Sequence, residues 1–325
     1  MLFNRRHAAL GLMAAAGGAL PLSKAWGQTP ALAGLIPGAA PAVAAPAAAE
    51  EAATQIGATR DKFEHLLAPV DINGQGPFNF ILDTGANVSC VSRELADRLM
   101  LTQAGLAPVH TMVGVRNRPS VMIDTLSIGA RHRKDVRAPA LPAFGGQVDG
   151  LLGVDWLGGQ RLVLDIRNKK IEITPSRTEY ATASRVIVPC RRRLGQLTIV
   201  DADLSGHRIS AMIDSGSQVT MCNFPLHEMV LTMEAHSPFV REHQPVKLET
   251  IAGEPFSGEM FYLPFLRLGG LQLGNVPVVF SWQTEVFDVW GLKDTPAIVL
   301  GMDLLAQFES VALDFGRNQV RFDIT

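Results

Sequence analysis

The tripeptide Asp-Thr/Ser-Gly occurs twice in this chain, each time behind an apolar pair: Ile81-Leu82-Asp83-Thr84-Gly85 and Met212-Ile213-Asp214-Ser215-Gly216, with the aspartates 131 residues apart. A carboxyl group is a base when ionised and an acid when protonated. Two of them held close together cannot both ionise cheaply, so the pair keeps one proton between them. The ionised member can take a proton from a water attacking an amide carbonyl, and the protonated member can donate to the carbonyl oxygen. That chemistry requires no metal, nucleophilic triad or cofactor, and none is expected.

The surrounding sequence supplies the elements that would position such a pair. Each apolar pair anchors a buried strand, so its carboxylate emerges at a fixed place. Gly85 and Gly216 read as residues that permit a tight turn with unusual dihedrals. The hydroxyls of Thr84 and Ser215 are expected to find partners inside that turn. A matching motif follows each copy, Gly150-Leu151-Leu152-Gly153-Val154-Asp155-Trp156-Leu157 and Ile298-Val299-Leu300-Gly301-Met302-Asp303-Leu304-Leu305. Leu164-Asp165-Ile166 and Leu313-Asp314-Phe315 close the two copies, offset by 149 residues. An ordered, duplicated set implies two similar lobes related by an approximate two-fold axis, with one carboxylate from each.

Most of the remaining sequence reads as strands. Short apolar runs are separated by turn signals such as Asn73-Gly74, Ile128-Gly129-Ala130, Ser205-Gly206 and Gly269-Gly270. Alternation is clear in Lys170-Ile171-Glu172-Ile173 and Gln319-Val320-Arg321-Phe322. The best helix is 92–101, with Ser92 as N-cap, and short helical turns are expected after Gly153 and Gly301. The expected organisation is an N-terminal lobe at 60–175, a polar hinge at 176–184 and a C-terminal lobe at 185–325.

Composition narrows the class. A length of 325 residues accommodates two cores. A net charge of −2 provides no basic field for nucleic acid. Residues 1–27 read as a signal peptide, with Arg5-Arg6-His7, an apolar stretch at 8–22 and a small-x-small site at Ala25-Trp26-Gly27; the arginine pair allows a twin-arginine type. An exported, periplasmic protein is expected, with no membrane span in its mature form; an uncleaved N-terminal anchor is the alternative. Residues 28–59, rich in Ala and Pro, read as a linker. Cys90, Cys190 and Cys222 are an odd number without metal spacing and read as buried thiols. The eight histidines show no HExxH and no paired ligand spacing, and His227, His236 and His243 fall in a stretch that reads as a surface excursion.

With these motifs in place, the two halves resemble the aspartic peptidases, in which hydrophobic-hydrophobic-Asp-Thr/Ser-Gly and a later hydrophobic-hydrophobic-Gly belong to each lobe. Within that group each half is most similar to the retropepsin-like type. The resemblance covers residue 62 to the C-terminus and implies an all-β, bilobal acid-protease fold with few short helices. By position it makes Asp83 and Asp214 the catalytic dyad, with Thr84, Gly85, Ser215, Gly216 and Ser217 bracing it and Leu152-Gly153 and Leu300-Gly301 supporting the catalytic loops. It implies an endopeptidase acting on an extended polypeptide, as a monomer containing an intramolecular pseudo-dimer. The sequence departs from pepsin in having no Tyr or Trp between Gly85 and Gly150. Each half instead offers its own flap hairpin, at 113–128 and 246–268.

Other residues receive more modest readings. Pro139-Ala140-Leu141-Pro142-Ala143-Phe144 and Asp294-Thr295-Pro296-Ala297 would line side-chain pockets. Trp282 and Trp290 are expected to pack on their own lobe, and Cys90 to be an inert wall residue. Asp155 and Asp303 read as caps of the following turns. The copies differ at Ala86 and Ser217, and a Ser217 hydroxyl on the outer oxygen of Asp214 would make Asp214 the more readily ionised partner. A catalytically silent peptide-binding module of the same fold, and an enzyme needing processing or a partner, are the competing readings.

Overall fold

The computed structural model describes residues 13–14, 54–60, 65–142, 144, 147–157, 159–193, 196–235 and 243–324. The expected signal peptide lies outside these apart from Met13–Ala14, a two-residue strand beside Thr102–Thr111. Most of the expected linker lies outside them as well.

Strands dominate, and each lobe closes as a six-stranded barrel. The first lobe opens with the hairpin Leu66–Ile72 and Gln75–Leu82, the second with Gln196–Leu204 and His207–Ile213. Two-residue turns join these hairpins, with positive φ at Asn73 (51°) and Gly74 (75°) and at Ser205 (53°) and Gly206 (86°). Such dihedrals match the twist of paired strands and favour Asn-Gly-like sequences. A long hairpin follows in each lobe, Thr102–Thr111 with Gly114–Ile128 and Gln244–Glu249 with Pro255–Leu268. Arg131–Leu141 and Leu271–Phe280 extend these hairpins by antiparallel pairing.

Helices are few. Arg93–Arg98 is capped by Ser92, whose hydroxyl accepts from the Leu95 amide at 3.0 Å. Sequence reasoning did not single out the longer helix Phe224–Ala235. Its apolar residues surround it too evenly for a clear 3.6-residue period, but its start was readable. Asn223 Oδ1 accepts from the Leu226 amide at 3.2 Å, Pro225 sits in the first turn, and both helices begin ten residues after their aspartate. Short helical turns at Val154–Trp156 and Met302–Leu305 stand where expected.

A shared sheet joins the lobes. Arg161–Asp165 pairs with Ser310–Asp314, and each has its own outer neighbour, Lys170–Thr174 and Gln319–Asp323. Leu162 faces Leu313 and Leu164 faces Val311. The offset of 149 exchanges these two pairs, so the pseudo-two-fold axis passes between Val163 and Ala312. The alternating segments expected as strands bury Ile171, Ile173, Val320 and Phe322 here. Thr54–Gly57, expected to be linker, is instead a strand on Lys170–Thr174 with Ile56 buried. Its Thr-Gln-Ile pattern suits a half-buried edge. Arg185–Arg193 completes the far side beside Gln319–Asp323.

Residues 176–184 cross between the lobes without regular structure, but they are tied down. The Ser176 hydroxyl donates to Asp314 Oδ1 at 2.6 Å. Glu179 accepts from Arg161 of the first lobe and Arg321 of the second, each at 2.8 Å, and all three side chains are more than nine-tenths buried.

Candidate active site

The strands Gln75–Leu82 and His207–Ile213 deliver the two aspartates to the seam between the lobes. Each strand lies parallel to the one carrying its Leu-Gly motif, with Leu82 beside Leu152 and Ile213 beside Leu300. The Asp83 amide donates to the Leu152 carbonyl at 2.9 Å, and the Asp214 amide to that of Leu300 at 3.0 Å. The loops are closed from below by Val154 N–H to Ala86 O (2.8 Å) and Met302 N–H to Ser217 O (2.7 Å). Gly153 and Gly301 are needed for contact. A Cβ on Gly301 would stand 2.4 Å from the Val219 carbonyl, and one on Gly153 2.9 Å from Ala86 O.

Thr84 and Ser215 brace the seam by exchange. Thr84 Oγ1 donates to Ile213 O (2.9 Å) and accepts from the Ser215 amide (3.0 Å). Ser215 Oγ donates to Leu82 O (2.7 Å) and accepts from the Thr84 amide (3.1 Å). Four buried hydrogen bonds therefore cross from lobe to lobe within two residues of each aspartate. Both hydroxyls are satisfied as donor and acceptor, which fixes the turns against each other.

Each carboxyl is held by its own turn. Asp83 Oδ1 accepts from the amides of Gly85 (2.8 Å) and Ala86 (2.9 Å). Asp214 Oδ1 accepts from Gly216 (2.9 Å) and Ser217 (3.1 Å). Asp83 and Asp214 are hydrogen-bonded to each other, and each is only 1% exposed. Neither Gly85 nor Gly216 has a positive φ, so the dihedral explanation for these glycines does not hold. They are required because the opposite carboxyl lies against them. A Cβ on Gly85 would be 2.4 Å from Asp214 Cγ, and one on Gly216 2.3 Å from Asp83 Cγ.

The expected asymmetry at Ser217 is also corrected. Its hydroxyl donates to Val219 O at 2.7 Å, and only its backbone amide serves Asp214. Ala86 gives Asp83 the same service, so the two turns offer equal donors. Burial raises Asp214 above the ordinary carboxylate range, despite opposing hydrogen bonds from Asp83 and the turn amides and the positive field of His65. The buried pair therefore holds its proton to higher pH than a solvated carboxyl would, and the Ser217 hydroxyl does not set its two members apart. His65, fully buried at the start of the first lobe, is a difference between the halves that no motif announced.

A second layer repeats in both lobes. Ser89 and Thr220 each stand six residues after their aspartate. Ser89 Oγ donates to Asp155 Oδ1 (2.9 Å) and accepts from the Gly153 amide (3.1 Å). Thr220 Oγ1 donates to Asp303 Oδ1 (2.8 Å) and accepts from the Gly301 amide (3.1 Å). Asp155 and Asp303 stand in the first turn of the helical segments they were expected to cap, and the Asp303 carboxyl accepts from the Leu304 backbone amide there. They tie the chain leaving each aspartate turn to the Leu-Gly loop below it, and burial raises both carboxyls. The shared spacing from each aspartate was the signal that reveals Ser89 and Thr220.

The long hairpins close over the dyad as two flaps. The first begins earlier than expected, at Thr102, and turns at Met112-Val113; the second turns at residues 250–254. Their tips cross. Met112 is fully buried in an apolar cluster whose other buried members, including Met212, Leu248, Phe287 and Trp290, belong to the second lobe. Ile251 and Ala252 of the second tip lie in the first lobe's cluster with Ile81, Leu141, Phe144 and Leu151. Each cluster thus contains the residue two before an aspartate. The segments expected to line pockets contribute Leu141 and Phe144 to one cluster and Ala297 to the other. A latch joins the tips: Glu254 accepts from Thr111 Oγ1 (2.8 Å) and Arg118 (3.2 Å). Beside the second flap a 260 Å³ cavity runs between Gln218-Val219, Val246, Met260 and Asp303.

Cys90 is buried, and burial raises its thiol well above its usual value, as expected of an inert wall residue. Trp290 packs inside its lobe, whereas Trp282 is 72% exposed and lies 4.9 Å from Phe224, ring to ring.

No curated protein matches the chain. The profile of one family, described as aspartyl protease, matches residues 68–156 and 200–304. The two matched segments fall one in each lobe, contain Asp83 and Asp214 with their Leu-Gly partners, and together span more than half of the chain. By that match and by its two barrels, the chain belongs to the aspartyl protease family, as a two-lobed, retropepsin-like member.

Proposed function

We propose that this protein is an aspartic endopeptidase that cleaves an extended polypeptide, using a water activated between Asp83 and Asp214. The observation carrying this reading is the apposition of the two carboxyls, hydrogen-bonded to each other on turns that each lobe braces for the other. The pair keeps one proton between its members, so the ionised carboxyl acts as the base toward the water and the protonated one serves the carbonyl oxygen, in keeping with the raised titration of the buried site. The titration belongs to the pair rather than to either residue alone.

An extended substrate suits the two flaps, whose strands offer backbone groups to a peptide lying between them and the dyad. Its side chains enter apolar sites, for which the 260 Å³ cavity beside Val246 and Met260 is one candidate. The chain works as a monomer whose halves form an internal pseudo-dimer. Export to the periplasm belongs to the same reading, on the strength of Arg5-Arg6-His7 and the apolar stretch at 8–22.

The test is a peptide-library digest by the purified chain beside Asp83→Asn and Asp214→Asn variants. Internal cleavage lost in both variants is the expected outcome. Cleavage surviving either substitution refutes the dyad mechanism, and a folded wild-type protein that binds peptides without cutting them refutes the enzyme.

A further inference from the structure

A cluster of side chains at the root of the second flap has no part in the chemistry above. His227 lies on the helix Phe224–Ala235, His243 immediately precedes the flap strand Gln244–Glu249, and Glu259 lies on the paired strand Pro255–Leu268. One ligand-type atom from each lies within 4.8 Å of the others. Glu259 Oε2 is 3.5 Å from His243 Nδ1 and 3.9 Å from His227 Nε2. In a tetrahedral zinc site, bonds of about 2.0–2.1 Å leave ligand atoms about 3.3–3.4 Å apart. Small side-chain adjustments bring these three to that spacing.

Two observations favour an ion over a simple polar cluster. First, His227 is 4% exposed, yet neither of its ring nitrogens has a hydrogen-bond partner. A buried imidazole in that condition costs stability unless something occupies its lone pair. Second, His243 Nε2 lies 3.0 Å from Glu234 Oε2. Nδ1 of the same ring lies 3.5 Å from Glu259 Oε2, so in the tautomer that donates from Nε2 to Glu234 a lone pair faces the Glu259 carboxylate, a pairing that a metal ion between them accommodates. A carboxylate behind a histidine ligand is also the usual support of a metal-bound imidazole.

The rings are held in place from behind. His227 stacks on Phe280 with centroids 4.0 Å apart and planes 9° apart, and His243 stacks on Phe261 at 4.9 Å and 13°. Glu259 is half exposed and opens the cluster to solvent. The sequence did not show this. Two of the histidines expected in a surface excursion, His227 and His243, are sixteen residues apart, and packing of helix against hairpin brings them together; His236 lies outside the described residues.

We propose that His227, His243 and Glu259 bind one divalent transition-metal ion, of the zinc type, with water completing its shell and Glu234 supporting His243. The ion would clamp both strands of the second flap's root to the helix, whether or not the dyad turns over.

The experiment uses the full chain, stripped with a chelator and dialysed. Titration with Zn²⁺ followed by calorimetry is expected to show one ion per chain and a Tm higher by about 5 °C at saturation. Co²⁺ in its place is expected to give the visible absorption of a four-coordinate site. Amide exchange in the strand Gln244–Glu249 should slow on binding. His227→Gln, His243→Gln and Glu259→Gln should each weaken binding by more than tenfold, and Glu234→Gln by about 10–100-fold. A folded wild-type chain that takes up no stoichiometric Zn²⁺ overturns the proposal. So does binding that survives all three ligand substitutions, because the ion then sits elsewhere.

Discussion

Gly85 and Gly216 each lie beneath the carboxyl of the opposite lobe, closer than any side chain permits. Gly85→Ala would push its Cβ into Asp214, and misplacing a catalytic group by about 1 Å costs about a hundredfold in rate. The expected result is a loss of at least that factor in kcat, with unchanged far-UV circular dichroism; a fully active alanine variant contradicts the geometry. The dyad also makes a pH prediction. Burial raises Asp214, so the pair keeps its single proton to higher pH than a solvated carboxyl would. The alkaline limb of kcat/KM should therefore lie above the ordinary aspartate value of about 3.9. A limb at or below that value contradicts a raised titration of the buried pair. At this scale the sequence was informative about identity and less so about cause. It revealed which residues matter, because their types recur in order. It did not reveal that the glycines serve the opposite lobe, which depends on contacts across the seam, or that the Ser217 hydroxyl turns to the nearby Val219 carbonyl, which is a rotamer choice within the turn.

The flaps carry the next prediction. Glu254, at the tip of the second hairpin, accepts from Thr111 and Arg118 of the first. Hydrogen bonds to a charged group contribute about 1.5–3 kcal/mol each at most, less where water competes. Glu254→Gln should weaken the latch and raise amide exchange at residues 111–114 and 250–254 by roughly tenfold. Exchange unchanged at both tips would show that the latch holds nothing. Elements were legible where local signals were strong: Asn73-Gly74 and Ser205-Gly206 gave their hairpins, and Ser92 gave its helix. The crossing of the flap tips was not legible, since Thr111 and Glu254 are 143 residues apart. The helix Phe224–Ala235 was hidden by its uniform apolarity, although its matching position after Asp214 foretold it.

For the molecule as a whole, the span between the lobes is a fastening. Glu179 sits between Arg161 and Arg321, all three nearly without solvent. Removing the carboxylate would strip the buried Arg161 of its ion pair with Glu179, while Arg321 keeps Asp323 at 2.9 Å, and breaking a buried ion pair from one side costs about 3–5 kcal/mol. Glu179→Gln should lower the urea midpoint accordingly, with both lobes unfolding earlier. A change below about 1 kcal/mol would show that the arginines find other partners. The duplication itself was visible in the sequence from the matched motifs. The polar composition of 176–184 indicated a hinge, but the depth at which Glu179 is buried depends on both arginines converging there.

The crossed flap tips bear on what the protein can bind. Met112 and Ile251 already occupy apolar sites on either side of the dyad, so the protein is its own first ligand. On the proposed function, an incoming chain would not enter an empty groove; it would compete with two tethered side chains. Burying such a side chain contributes roughly 1.5–3 kcal/mol, and about 2 kcal/mol corresponds to a discount of roughly thirtyfold on affinity. Only the difference between substrate and occupant drives entry. If the protein is the peptidase proposed above, segments with large apolar residues on both sides of the cut are expected to meet that threshold better than polar or small ones.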